Sequence, residues 1–186
     1  LRHLLGQRLL GATTDLDGLV RGDLGRFIEV LDEVLARPWG PCVLRRHPVQ
    51  VIQVPSRVDK PRRFDVIVQV NGVTWRRIQV EISPDEGSAG AQAEPLPAPS
   101  LAGFGLPTPD HLTGLATRYQ TAQQIHAVSD LHDPPSFHND RARDVVDLLL
   151  IRDLIRETGS PTPGDVRAAV LDIFAARARD AAVLGY

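Results

Sequence analysis

An α+β fold is predicted, with a mixed or antiparallel sheet flanked by helices in the first half and a helical second half. Three observations carry it. β-branched and apolar residues crowd CVLRRHPVQVIQV and RFDVIVQVNGVTWRRIQVEIS, and in the second of these Asn71-Gly72 separates two β-rich runs, the strongest short hairpin signal a sequence gives. Apolar residues at helical spacing then return in LATRYQTAQQIHAVSDL, RARDVVDLLLIRDLIRET and DVRAAVLDIFAARARDAAVL. No internal repeat breaks this order, so sheet and helices are consecutive blocks.

Taken from the start, LRHLLGQRLL carries leucines at helical spacing up to Gly11, which predicts a short entry helix. Residues 14–19 are a candidate strand. Residues 22–37 repeat apolar side chains at Phe27, Val30, Leu31, Val34 and Leu35 before Pro38, the pattern of an amphipathic helix. Residues 83–110 are rich in proline, glycine and alanine without periodicity, which suggests a functional lid or a flexible connection. The first of the later helices should break at DPPSFHND. The last should begin after GSPT, where Thr162 precedes Asp165 by three residues as in a capping box. The expected organisation is an α/β domain over 1–110, including the 83–110 loop, with a helical region over 111–186 packed on it.

Composition narrows the classes of function. With 186 residues, 42% of them hydrophobic, the chain can bury one real core, and a net charge of −2 argues against a bulk polyanion binder. The single Cys42 has no internal partner, which fits a reducing, cytoplasmic setting. No apolar run approaches 18 residues and the start is not signal-like, so no membrane role is expected. Only Lys60 among the 21 basic residues is lysine, so any role that demands lysine has one candidate.

The chemistry centres on GATTDLDGLVRGD. Aspartates around a glycine are favoured at turns and helix caps, where they accept backbone N–H groups. If residues 14–19 form a strand, however, Asp15 and Asp17 share one face, where two carboxylates repel unless a cation lies between them. Magnesium suits that arrangement, because it takes hard oxygen ligands and keeps the rest of its shell for water and phosphate. Glu81 falls on the face of Arg77 and Gln79, opposite Ile78, Val80 and Ile82. It is either part of a solvated strand face or the third carboxylate of a two-metal site.

This arrangement resembles the nucleotidyltransferase superfamily related to DNA polymerase β, with two acidic residues one apart on a strand and a third on a neighbouring strand. Downstream, RYQTAQQIHAVSDLHDPPSFHNDRARDVVDLLLI over 118–151 looks like the helical stretch of the AbiEii/AbiGii-type nucleotidyltransferase toxins. The resemblance spans about residues 1–155 and implies a polymerase-β-like fold. It makes Asp15, Asp17 and Glu81 the magnesium ligands, and Arg141, Arg143 and Asp144 a cluster that holds a nucleoside triphosphate and supports the incoming hydroxyl. Arg118, Arg141 and Arg143 suit phosphate through the planar guanidinium fork. The family lysine falls at Gln124, and the family Gly-Gly turn would precede Leu1.

The implied activity is transfer of a nucleotide from a nucleoside triphosphate to an RNA acceptor, the 3′ end of tRNA, as a toxin of a toxin–antitoxin or phage-defence system. The alternative is a lapsed site on the same fold, kept for contact with an antitoxin protein or RNA. Residue by residue, RARDVVDLLLIRD also fits a solvated helix face with ion pairs such as Arg143 with Asp147. His126 fits a packed helical histidine. His126, His132 and His138 recur at a spacing that suits no zinc site. Trp39, Trp75 and Tyr119 are too scattered for a stacking platform.

Overall fold

The computed structural model describes residues 15–130 and 141–185. The entry helix expected over the first ten residues and the break at DPPSFHND lie outside them. The described chain is α+β, as predicted. It divides into two compact units, one formed by the residues up to Asp85 with Pro97–Leu112, the other by Glu86–Leu96 with Thr113–Ala182.

The first unit is a sheet with one helix. Strand β1 spans Asp15–Val20, helix α1 Leu24–Leu35, and strands β2 to β5 Cys42–Arg46, Gln50–Val51, Arg62–Val70 and Val73–Pro84. The strand order is β1-β5-β4-β2, with β3 also paired to β4. β1 runs parallel to β5, whereas β5–β4 and β4–β2 are antiparallel. β1 and β2, at opposite edges, therefore point the same way, and α1 is the crossover between them.

Local chemistry explains these elements. Asn71 and Gly72 both take positive φ, 50° and 78°, as the tight turn between β4 and β5 requires. Asp23 caps α1 by accepting the Arg26 N–H at 2.6 Å. The apolar stripe of α1 then meets one sheet face in a core of Val20, Leu24, Ile28, Phe64, Val66 and Ile82. Phe64 and Ile82 are 2% exposed, and each such side chain contributes about 1.5–3 kcal/mol through burial. Arg46 fastens β2 to α1 through both oxygens of Asp32, at 2.8 and 2.6 Å. One helix covers one face, and the opposite face carries Asp15, Asp17, Arg63, Asp65, Arg77 and Glu81.

The prediction for residues 83–110, which fall partly in the first unit and partly in the second, is corrected. Instead of an unstructured lid or connection, β5 continues to Pro84, two short 3₁₀ turns form, and Ala93–Pro97 is strand β6, paired with β7 at His111–Leu115. The reason is specific docking. Asp172 accepts the Ser88 N–H at 2.8 Å and the Tyr119 hydroxyl at 3.0 Å. Glu94 accepts the Thr117 N–H at 3.2 Å, which supplies the cap that Ala116 lacks at the start of helix α2, Thr117–Ser129. Gly114 leaves room for Leu96, whose Cδ1 would lie 2.5 Å from an added Cβ.

Helices α3, Ala142–Thr158, and α4, Pro163–Leu184, complete the second unit. The Thr162–Asp165 capping box forms as the sequence indicates: the Asp165 N–H donates to Thr162 Oγ1 at 3.2 Å, and the Thr162 N–H returns to Asp165 Oδ2 at 2.9 Å. Among the described residues, no helix is long and apolar enough to cross a membrane.

Candidate metal centre

The three predicted carboxylates lie on one face of the first unit's sheet, on the adjacent strands β1 and β5. Parallel register pairs Asp17 with Glu81 and Asp15 with Gln79. Register partners on adjacent strands project to the same side, so Asp15, Asp17 and Glu81 share the face that α1 leaves uncovered. β4 extends both rows, with Arg63 beside Glu81 and Asp65 beside Gln79.

Asp17 shows the electrostatic consequence. Its residue is exposed along the strand, yet protein atoms crowd its carboxyl group. That burial first, then the charges of Asp15 and Glu81, raise its pKa above the usual 3.8, while Arg63 pulls the other way. Like charges this close disfavour ionisation of the middle member.

Arg63 is the neighbouring cation. Its Nε and Nη2 lie 2.6 and 2.5 Å from Glu81 Oε1, and Gln79 Nε2 donates to the same oxygen at 3.1 Å. Beside them is an open groove of about 500 Å3 whose lining includes His47, Gln50, Arg63, Asp65, Arg77 and Gln79. Arg77 hydrogen-bonds Asp65, and His47 Nδ1 stands 4.0 Å from the same carboxylate. The Arg77 hydrogen bond is the main cause that holds the Asp65 carboxyl below its usual range.

The donor set fits magnesium in kind: three carboxylates on adjacent strands, with a middle charge that a cation would relieve. Among the described residues, however, no three His, Cys, Asp or Glu side chains stand grouped so as to hold a metal ion together. Glu81 is turned to Arg63 instead.

The remaining predicted residues belong to the second unit. Asp144 lies in the first turn of α3, favourable for a carboxylate near the positive end of the helix dipole. Arg141 Nη1 reaches it at 3.3 Å. Of the i,i+3 and i,i+4 ion pairs that a solvated helix face would carry, Arg141–Asp144 is present at this end of the helix, and Arg143–Asp147 is not found among the described residues. Arg141, Ala142, Arg143 and Asp144 line an open hollow of about 450 Å3. Arg118 hydrogen-bonds Gln92, with its guanidinium carbon 5.7 Å from the Tyr119 ring centre. Gln124 Oε1 is buried and has no hydrogen-bond partner among the described residues.

Sequence reasoning placed Arg77 on the face of Glu81 but passed over Arg63 and Asp65. Their signal was alternation, since Arg63 and Asp65 flank the core residue Phe64 and must face away from it. It also passed over Glu86, 3% exposed, which receives Arg177 Nη2 at 3.1 and 3.2 Å. Arg177 Nη1 is 3.3 Å from His126 Nδ1, and the His126 ring meets Phe174 edge-on at 4.7 Å. Burial lowers the Arg177 pKa below the usual guanidinium range.

Compared with family models and with curated proteins, the chain matches none.

Proposed function

We propose that this chain is a magnesium-dependent nucleotidyltransferase of polymerase-β-like fold, which moves a nucleoside monophosphate from a triphosphate to the hydroxyl end of an RNA, with tRNA as the acceptor suggested by the resemblance. One observation carries the reading: Asp17 and Glu81 are register partners, with Asp15 on the same open face, beside a groove lined by arginines.

Asp15, Asp17 and Glu81 would hold the magnesium. When bound, the metal supplies charge neutralisation at the phosphates and lowers the pKa of an attacking hydroxyl. The chain's own residues bind and orient. Arginines offer the planar fork that phosphate oxygens accept; Arg63 and Arg77 are such groups on this face. The parts of Arg118, Gln124, Arg141 and Arg143 in holding the triphosphate, and of Asp144 in supporting the incoming hydroxyl, rest on the resemblance alone. In the transfer, the acceptor oxygen forms a bond to the α-phosphorus, the bond to the β-phosphate's bridging oxygen breaks, and pyrophosphate leaves. The hydroxyl proton passes to a carboxylate of the open face. A toxin–antitoxin or phage-defence setting and an antitoxin partner belong to the same proposal.

A second reading keeps the fold as a binding module for an antitoxin or RNA without transfer. Gln124 favours it, because the family position calls for a cation and here a buried amide oxygen has no hydrogen-bond partner among the described residues.

The test is incubation of the purified chain with each α-labelled nucleoside triphosphate, tRNA and magnesium. Label covalently attached to RNA, lost with chelator and with Asp17→Asn, supports transfer. RNA or antitoxin binding without any labelling, in a protein that binds magnesium and triphosphate, favours the module.

A further inference from the structure

We propose that Arg63 is a displaceable counter-cation of the Asp15–Asp17–Glu81 face: it holds Glu81 while no divalent cation is present, and turns to a phosphate of the incoming triphosphate when the cation takes the carboxylates. The inference rests on the proposed function and deepens it by giving a positioning role to a residue outside the resemblance.

The geometry carries the argument. Arg63 places two nitrogens on a single oxygen of Glu81, and Gln79 adds a third donor to that same oxygen. All these contacts fall on Oε1, so Oε2 takes no hydrogen bond from the described residues. Arg63 on β4 and Asp17 on β1 flank Glu81 as its register partners. Arg63 thus stands where a metal's charge would act.

Displacement is easy. The Arg63 side chain is 43% exposed and that of Glu81 29%, and an ion pair this open shifts an equilibrium by only about fivefold at most. A divalent cation that gathered the three carboxylates would compete with that, and its charge would repel the guanidinium. The displaced side chain has a place to go, since Arg63 also lines the groove with Arg77, His47 and Gln50. A phosphate arriving there meets a planar fork and a second cation. The competing explanation is a plain cross-strand ion pair that staples β4 to β5.

The two explanations differ in sign. If Arg63 competes with the metal, its removal tightens the binding of the bare ion and weakens the gain from triphosphate. If it only staples strands, its removal leaves metal affinity alone or lowers it.

Manganese titration followed by electron paramagnetic resonance reads this directly, for the wild type, Arg63→Gln and Arg63→Lys, each with and without a non-hydrolysable nucleoside triphosphate. We expect Arg63→Gln to bind bare manganese about three- to fivefold more tightly and to lose most of the triphosphate-dependent gain. Arg63→Lys, which keeps the charge without the fork, should hold manganese near the wild-type affinity and still lose much of that gain. Should Arg63→Gln fail to fold, Arg63→Lys carries the test: an undiminished triphosphate gain overturns the proposal. A wild type that binds manganese, with Arg63→Gln unchanged or weaker for the bare ion, overturns it while leaving the proposed function standing. A wild type that binds no manganese overturns both.

Discussion

Asp17 and Glu81 face each other across the parallel β1–β5 ladder, and the charge of Glu81 helps raise the Asp17 pKa after burial and Asp15. A group whose folded pKa is raised above its unfolded value destabilises the fold once it ionises. Removing its charge without metal should therefore stabilise the chain at neutral pH. Asp17→Asn is expected to gain about 0.5 kcal/mol, a rise in melting temperature of about 1–2 °C. The gain should vanish as the pH falls from the raised folded pKa to below 3.8, where both states of the wild type are protonated. With magnesium and triphosphate the order reverses, because only the wild type is stabilised by ligand. Calorimetric scans at both pH values, with and without ligand, check each sign.

Asp172 gives the opposite pH dependence. The Ser88 N–H, and to a smaller extent the Tyr119 hydroxyl, hold its carboxyl below the usual 3.8 against the effect of burial. Its stabilising contribution is thus complete above the unfolded pKa and is lost as the pH falls through the folded one. Asp172→Asn should lower the urea midpoint at about pH 6, and the loss should be smaller at about pH 2.5, below the usual 3.8. An equal loss at both pH values would mean that packing, and not charge, sets the role of Asp172.

Glu86 and Arg177 form the most buried ion pair described, with the Glu86 side chain 2% exposed. Breaking such a pair strands a charge, at a cost of about 3–5 kcal/mol, whereas apolar replacement of both partners is often close to neutral. Glu86→Ala should therefore destabilise the chain by about 3 kcal/mol. The double variant Glu86→Leu with Arg177→Met should recover most of that loss. Denaturant titration of the two variants decides whether the pair adds stability or only avoids a stranded charge.

Much of the fold was legible because its signals are local. The hairpin rested on Asn71-Gly72, helix α1 on its apolar stripe and on Pro38 beyond it, and the start of α4 on the Thr162–Asp165 pair. Each depends on residues within a few positions of one another. What was missed depends on distant partners. Residues 86–96 have no periodicity of their own and are ordered by Asp172, more than 80 positions away, and by Glu94 capping α2. The site divides in the same way. Alternation alone put Asp15 with Asp17 and Glu81 with Gln79, but pairing these two strands, and bringing Arg63 onto Glu81, needed the β1–β5–β4 register that no local pattern carries.

The central claim is that Asp15, Asp17 and Glu81 together bind a divalent cation beside a triphosphate. Anomalous diffraction from crystals grown with manganese and a non-hydrolysable nucleoside triphosphate tests it most directly. The expected result is an anomalous peak bonded to oxygens of all three carboxylates, about 2.0–2.3 Å away as for a hard divalent ion, with triphosphate oxygens completing its shell and Arg63 turned from Glu81. Triphosphate bound elsewhere, with no peak on the open face and Glu81 still held by Arg63, would contradict the account.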